Sequence, residues 1–330
     1  MNIHKNHPVS LAECRKARKH VYKHLIPTQL SKYETLSRIL GAEIHVKHEN
    51  HNPTGSFKIR GGVNLMHHLR QSGVDGVVTF STGNHGYSVA TSASWAGIKA
   101  TVVVPENTNP AKKQNIQSAG AKLIEAGTTF EEASKAVEEI VAKEGSYYVH
   151  PANEPHLVNG VGTEFLEILD VLPDMDAIIL PLGAGSEAAA AVTVLHAINP
   201  DIEIYAVQAK DSSAACLSWK TGKIQTAANT TFAGGFATGT GYELPFGIYK
   251  KGITDFVLLS EEEIYEGIAL AAHYTKSYLE GAGAATLRAA LCLKDRLQGK
   301  KVVLQYSGCN ASAEEIQKAY AHPFFTNGIK

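Results

Sequence analysis

Disulfide frameworks and paired metal-binding cysteines are both missing from this chain. Its four cysteines, Cys14, Cys216, Cys292 and Cys309, lie far apart and form neither a CxxC pair nor a Cys/His metal spacing. A reduced, cytoplasmic chain is the simplest reading. Neither sign of charge dominates: 31 Lys and Arg stand against 32 Asp and Glu, which argues against a nucleic acid or an anionic membrane surface as partner. No apolar run approaches the ~20 residues that cross a bilayer. Segment 1–11 is polar and His-rich, without the apolar core of a signal peptide. Internal repeats, low-complexity segments and Pro/Gly/Ser-rich linkers are absent too. What remains is a chain of 330 residues, 44% of them hydrophobic, which is ample for two lobes with cores of their own.

Short β-branched runs alternate with longer helical patterns. Strands are expected over 43–47, 76–80, 100–104, 121–124, 177–180, 202–207 and 301–304. Helices are expected over 111–119, 129–143, 186–197, 261–276 and 285–297. This rhythm predicts an α/β fold of two open, mostly parallel sheet lobes with helices on both faces. The compact series over 73–149 makes the small domain, inserted between 1–72 and 150–330, which make the large one. After it, Asn159-Gly160-Val161-Gly162-Thr163-Glu164 is expected to open a new helix. Ligands of such sheets sit at the carboxyl ends of strands, so the Gly-rich turns should line one crevice.

Four turns stand out. The first is Asn52-Pro53-Thr54-Gly55-Ser56-Phe57-Lys58, after a strand ending near Glu49. Pro and Gly break the strand, and Ser56 can cap a helix beginning at Phe57. A lysine in a first helical turn opposes the helix dipole, which lowers its pKa and suits an amine that must act unprotonated. By itself, such a segment more often holds a solvated surface lysine. The second turn, Ser81-Thr82-Gly83-Asn84-His85-Gly86, ends strand 76–80 and offers hydroxyls and amides to a carboxylate; alone it is an ordinary capped turn. The third, Gly183-Ala184-Gly185-Ser186-Glu187-Ala188, matches G-x-G-x-x-A, with Glu203 about twenty residues on. A dinucleotide reading is disfavoured, because Glu203 starts the next strand while Gln208 ends it. A phosphate monoester needs only the glycine-lined amides and the Ser186 hydroxyl. The fourth, Gln305-Tyr306-Ser307-Gly308-Cys309-Asn310, follows strand 301–304 and is otherwise a polar turn.

Taken together, these segments resemble the tryptophan-synthase-β-like (fold type II) pyridoxal-phosphate family, in its threonine/serine dehydratase and serine racemase branch. The resemblance runs from about 27 to 311, with the motifs in the family's order. It implies pyridoxal 5'-phosphate as cofactor, with Lys58 as its Schiff-base lysine and Phe57 either supporting the ring or filling the core. It implies that Gly183, Ala184, Gly185 and Ser186 hold the phosphate, that Ser307 faces the ring nitrogen and that Asn84 contacts the 3′-oxygen. Ser56, Ser81, Thr82, Gly83, Asn84 and His85 would then bind the substrate carboxylate. A neutral hydroxyl at Ser307 weakens the electron sink and favours prompt loss of a β-substituent over a long-lived carbanion.

The expected reaction is removal of the β-hydroxyl of a serine- or threonine-like amino acid by a dehydratase (ammonia-lyase), giving a 2-oxo acid and ammonia. Thr82 stands where racemases of the branch carry a serine base, so racemisation, or another elimination or replacement on the same scaffold, stays open; a nucleotide-binding α/β protein is the distant alternative. Gln208 stands where relatives carry a metal-binding Glu, so no metal ligand is assigned. Glu280 reads as structural or as support for such a site, and Cys309 as touching substrate or packing. The glycine- and hydroxyl-rich stretch 232–241 shapes the pocket. With the last motif near 311, the regulatory domain of biosynthetic threonine dehydratases is not expected. Relatives are commonly dimers or tetramers, so a homo-oligomer is expected.

Overall fold

The computed structural model describes residues 4, 6–128 and 130–329. Met1, Asn2, Ile3 and Lys5 of the polar N-terminal stretch, and Thr129 at the start of the expected helix 129–143, lie outside the described residues. In chain order the strands begin with β1 (Leu30–Lys32), β2 (Glu43–Lys47), β3 (Gly76–Phe80), β4 (Lys99–Val104) and β5 (Lys122–Glu125). They continue with β6 (Tyr147–Tyr148), β7 (Ala177–Pro181), β8 (Glu203–Ala209), β9 (Asp255–Leu259) and β10 (Lys301–Gln305). Two compact units result: 4–26 with 58–163, and 27–57 with 164–329. Segment 73–149 falls wholly within the first unit, which also takes in 4–26, 58–72 and 150–163.

In the first unit a four-stranded parallel sheet runs in the order β5-β4-β3-β6. Val77, Val102 and Val104 pack with Leu65, Leu69, Val89 and Ala93 from the helices Lys58–Gln71 and Asn84–Ala96. Val78 and Val103 point the other way and pack with Val137 of the helix Phe130–Glu144, as strand alternation requires.

A second finding concerns the stretch 159–164. It does not open a helix; it lies in the middle of the helix Pro155–Val171. Close packing explains why the glycines are there. A Cβ at Gly160 would stand 2.5 Å from the Arg60 carbonyl, and one at Gly61 would stand 2.8 Å from the Leu157 carbonyl. The backbone of the helix Lys58–Gln71 therefore runs against that of its neighbour with no side chain between.

The second unit is built on a six-stranded sheet in the order β1-β2-β10-β7-β8-β9, parallel except for the short edge strand β1. Strand β7 is buried throughout, as a central parallel strand must be. One face carries Ile44, Val46, Ile179, Val207, Val302 and Leu304, packed against the alanine-rich helix Gly281–Cys292. Expected helix 285–297 is two pieces, Gly281–Cys292 and Lys294–Leu297. No helix among the described residues is long and apolar enough to cross a membrane.

Candidate active site

In the larger sheet β2, β10, β7 and β8 run parallel and adjacent, so their carboxyl ends open along one edge. Segments 48–57, 306–310, 182–186 and 210–213 follow those ends in that spatial order. The chain does not stay extended to Glu49, as expected from sequence: β2 stops at Lys47 and a 3-10 turn covers Glu49–His51. That turn brings 50–57 back along the segment after β10. Asn50 N–H donates to the Tyr306 carbonyl at 2.9 Å, and Cys309 N–H to the Gly55 carbonyl at 2.9 Å. Asn310 Nδ2 donates to the Thr54 carbonyl at 2.9 Å, and Phe57 N–H to the Ser307 carbonyl at 3.1 Å. Since Phe57 immediately precedes Lys58, the lysine's neighbour is fastened to Ser307.

Ser56 does not act as the helix cap expected for it. The helix begins at Lys58, one residue later than the sequence suggested, because Ser56 is already paired with Gly308 in a β-bridge. The Ser56 and Thr54 side chains are buried, and neither hydroxyl has a hydrogen-bond partner among the described residues. Phe57 and Ser307 are buried as well.

At the glycine turn, a Cβ on Gly183 would collide with the Gly235 carbonyl, and Gly185 has φ +91°, in the left-handed region. Both positions therefore demand glycine, whereas Ala184 keeps its methyl without strain. The helix Ser186–Ile198 starts there, so the turn stands at a helix N-terminus, the end of a helix that favours negative charge. Gln208 is buried, its Oε1 accepting from the Cys216 N–H at 3.0 Å. Glu280 precedes the helix Gly281–Cys292, and its N–H donates to the Gly308 carbonyl at 3.2 Å. Cys309 Sγ reaches the Asn50 carbonyl at 3.4 Å, and burial pushes its thiol up to about 11, so it stays protonated.

In the first unit Lys58 is half-buried at the start of the helix Lys58–Gln71. The hydroxyl of Ser88 donates to the Lys58 carbonyl at 2.8 Å. Ser88 lies one turn into the helix Asn84–Ala96. Ser81, Thr82, Gly83 and Asn84 are half-buried, and the Ser81 hydroxyl accepts from the Gly83 N–H at 3.2 Å. His85 is buried, with its Nε2 at 3.0 Å from the Thr79 hydroxyl. Burial first, and the charge of Lys58 second, push His85 down to about 3, so it is a neutral imidazole. The structure thus brings Lys58 and the 81–85 turn into one electrostatic neighbourhood.

Sequence reasoning missed the buried polar groups under the lysine turn: Lys47, Glu49, Asn52 and Glu167. The one local signal was the pair Lys47 and Glu49, two charged residues at the end of β2 and just past it.

These features fit pyridoxal phosphate. A glycine-tight turn ahead of a helix suits its phosphate, Ser307 offers a buried neutral hydroxyl, and two buried hydroxyls without partners among the described residues flank Gly55. The comparisons with known proteins agree. The chain is 34% identical to the L-threonine ammonia-lyase of Thermotoga maritima over 324 residues, 98% of this chain and 80% of that protein. It is 34% identical to the catabolic L-threonine dehydratase of Staphylococcus aureus, covering 96% of this chain and 93% of that one. Maize serine racemase superposes with a TM-score of 0.90 at 26% identity, covering 96% of this chain and 98% of the racemase. The model of the family described as pyridoxal-phosphate dependent enzyme matches residues 21–308, and this chain belongs to that family.

Proposed function

We propose that the protein is an ammonia-lyase that removes the β-hydroxyl of a small serine- or threonine-like amino acid. The observation that carries this reading is the bond from Phe57 N–H to the Ser307 carbonyl at 3.1 Å, which ties the residue before the reactive amine to the ring-nitrogen partner. The named activities of the two bacterial relatives support the same reaction class.

Pyridoxal 5'-phosphate, when bound, supplies an electron sink for the charge left at the substrate Cα. Gly183, Ala184, Gly185 and Ser186 would hold its phosphate, with Phe57, Asn84 and Ser307 around its ring. Ser307 presents a neutral hydroxyl, which leaves the ring nitrogen without a strong proton donor. Ser56, Ser81, Thr82, Gly83, Asn84 and His85 would bind the substrate carboxylate. Because His85 is neutral, that turn meets the anion through hydrogen bonds rather than through a second cation. The Lys58 amine, once unprotonated, takes the Cα proton. The β-hydroxyl leaves as water, and a second water then releases ammonia and the 2-oxo acid. In this reading 1–72 with 150–330 is the large cofactor-binding domain and 73–149 the small one. Four free cysteines fit a reducing, cytoplasmic setting.

Racemisation is the second reading. Thr82 carries a hydroxyl in the carboxylate turn, and a serine racemase is among the structural neighbours. A 2-oxo acid assay across serine, threonine, 3-hydroxyaspartate and phenylserine, with chirality followed in parallel, separates the two. Oxo acid from serine or threonine, abolished in Lys58→Ala together with the yellow cofactor band, is the expected result. Loss of chirality with no oxo acid from any substrate would sink the lyase.

A further inference from the structure

Three charged side chains are sealed inside the second unit: Lys47 is 1% exposed, Glu49 0% and Glu167 5%. Lys47 Nζ donates to Glu167 Oε2 at 2.5 Å and to the Thr28 carbonyl at 2.8 Å, with Glu49 Oε1 at 3.9 Å. Taking charges out of water is expensive, and apolar residues of similar volume usually serve stability as well or better. The use of such a cluster is therefore to be sought in what it holds in place.

Glu49 holds a turn. Its Oε1 accepts from the Thr28 hydroxyl at 2.5 Å, and its Oε2 accepts from Asn52 Nδ2 at 2.7 Å. The same Asn52 amide donates to the Glu49 carbonyl at 2.9 Å. The Asn52 carbonyl accepts from the Gly55 N–H at 2.7 Å, closing the bend at Gly55, which has φ +67°. Two residues later the chain reaches Phe57 and its bond to Ser307. The other side of the cluster grips the serine's segment, since the Lys47 carbonyl accepts from the Tyr306 N–H at 3.0 Å. One buried ionic group thus sits under both strands of the pairing that precedes Lys58.

We propose that Glu49 is a positioning residue for Lys58, acting through Asn52 and the 52–57 turn to fix where the lysine leaves the backbone relative to Ser307. The inference rests on the reading of Lys58 as the cofactor-bearing lysine. Glu49 acts through its charge and its hydrogen bonds to Thr28 and Asn52, not by reaching the reacting atoms.

Glu49→Gln keeps the volume, removes the charge and leaves Lys47 paired with Glu167. Asn52→Ala keeps every charge and cuts only the link to the turn, so it carries the test if Glu49→Gln fails to fold. Ile204→Val in β8 is the control: it removes one methylene from the same sheet, away from the turn. Three quantities are measured: hydrogen exchange at the Phe57 amide, cofactor affinity by absorbance titration, and kcat and KM separately. Both turn variants should exchange the Phe57 amide about tenfold faster and bind cofactor about tenfold more weakly. Their kcat should fall while KM stays within about twofold, and the control should lower only the melting temperature. Unchanged exchange, affinity and kcat in both turn variants, or equal changes in Ile204→Val, would overturn the positioning role. If the parent protein takes up no cofactor, the reading of Lys58 fails instead, while exchange at Phe57 still decides whether Glu49 governs the turn.

Discussion

Two glycines only two residues apart answer to different physics. Gly183 is constrained by crowding, because the Gly235 carbonyl occupies the place of its Cβ. Gly185 is constrained by its own backbone, whose φ of +91° disfavours any side chain by about 1–2 kcal/mol. Pro245 and Tyr249 also close on it, 3.1 and 3.0 Å from where a Cβ would stand. Both Gly183→Ala and Gly185→Ala should weaken cofactor binding, read by absorbance titration, and Gly185→Ala should also lower the unfolding free energy by about 1–2 kcal/mol. Affinity equal to the parent's in both variants would remove 183–186 from the phosphate site. These residues were legible in the sequence because strand-end glycines followed by a hydroxyl and a helix leave few other uses. The Lys47–Glu167 pair was not, since its partners lie 120 positions apart and no local spacing announces it.

Helices and strands tell a similar story, with one instructive failure. The strand cores were readable from β-branched runs, and β3 has the bounds the sequence suggested. The helix Pro155–Val171 was misread at its centre, because glycine weakens helices and usually marks their ends. Here close approach to the helix Lys58–Gln71 outweighs that local preference, and only the fold reveals the neighbour. Ser56 failed as a cap for a related reason, since pairing with Gly308 took its backbone first. The crossing makes a prediction. Gly160→Val puts two methyl groups where Arg60, Gly61 and Asn64 already stand, and should destabilise the first unit by about 1–3 kcal/mol in chemical denaturation. A variant as stable as the parent would mean the two helices can slide apart freely.

For the molecule as a whole, acid is the condition to examine. In the first unit His4, His7, His20, His67, His68 and His156 crowd together, with ring centroids of His68 and His156 3.9 Å apart and those of His20 and His67 3.6 Å apart. Burial, and then the neighbouring imidazoles, push His20 and His68 down to about 4 and His156 to about 3. Lys19 and Lys23 add to the pressure on His20, and Glu13, paired with His7 at 2.8 Å, partly relieves it at His156. These groups titrate lower in the folded chain than in the unfolded one, so the unfolded chain binds more protons in between. Stability from them is complete above the ordinary imidazole value near 6.5 and is lost as pH falls toward 4. The melting temperature should drop steadily through that window, and His68→Gln combined with His156→Gln should flatten the drop. A melting temperature indifferent to pH there would show that the rings are solvated. The parallel order of the larger sheet has another consequence. Every turn with a proposed role in that unit follows a carboxyl end, which leaves the amino-end turns without chemical duty. The exposed bend at Pro200 and Asp201, ahead of β8, is one of them. Doubling a loop's length there adds only about 0.6 kcal/mol of closure entropy. That rim is where the chain has latitude to acquire an insertion, a tag or new ends while the opposite rim keeps its geometry.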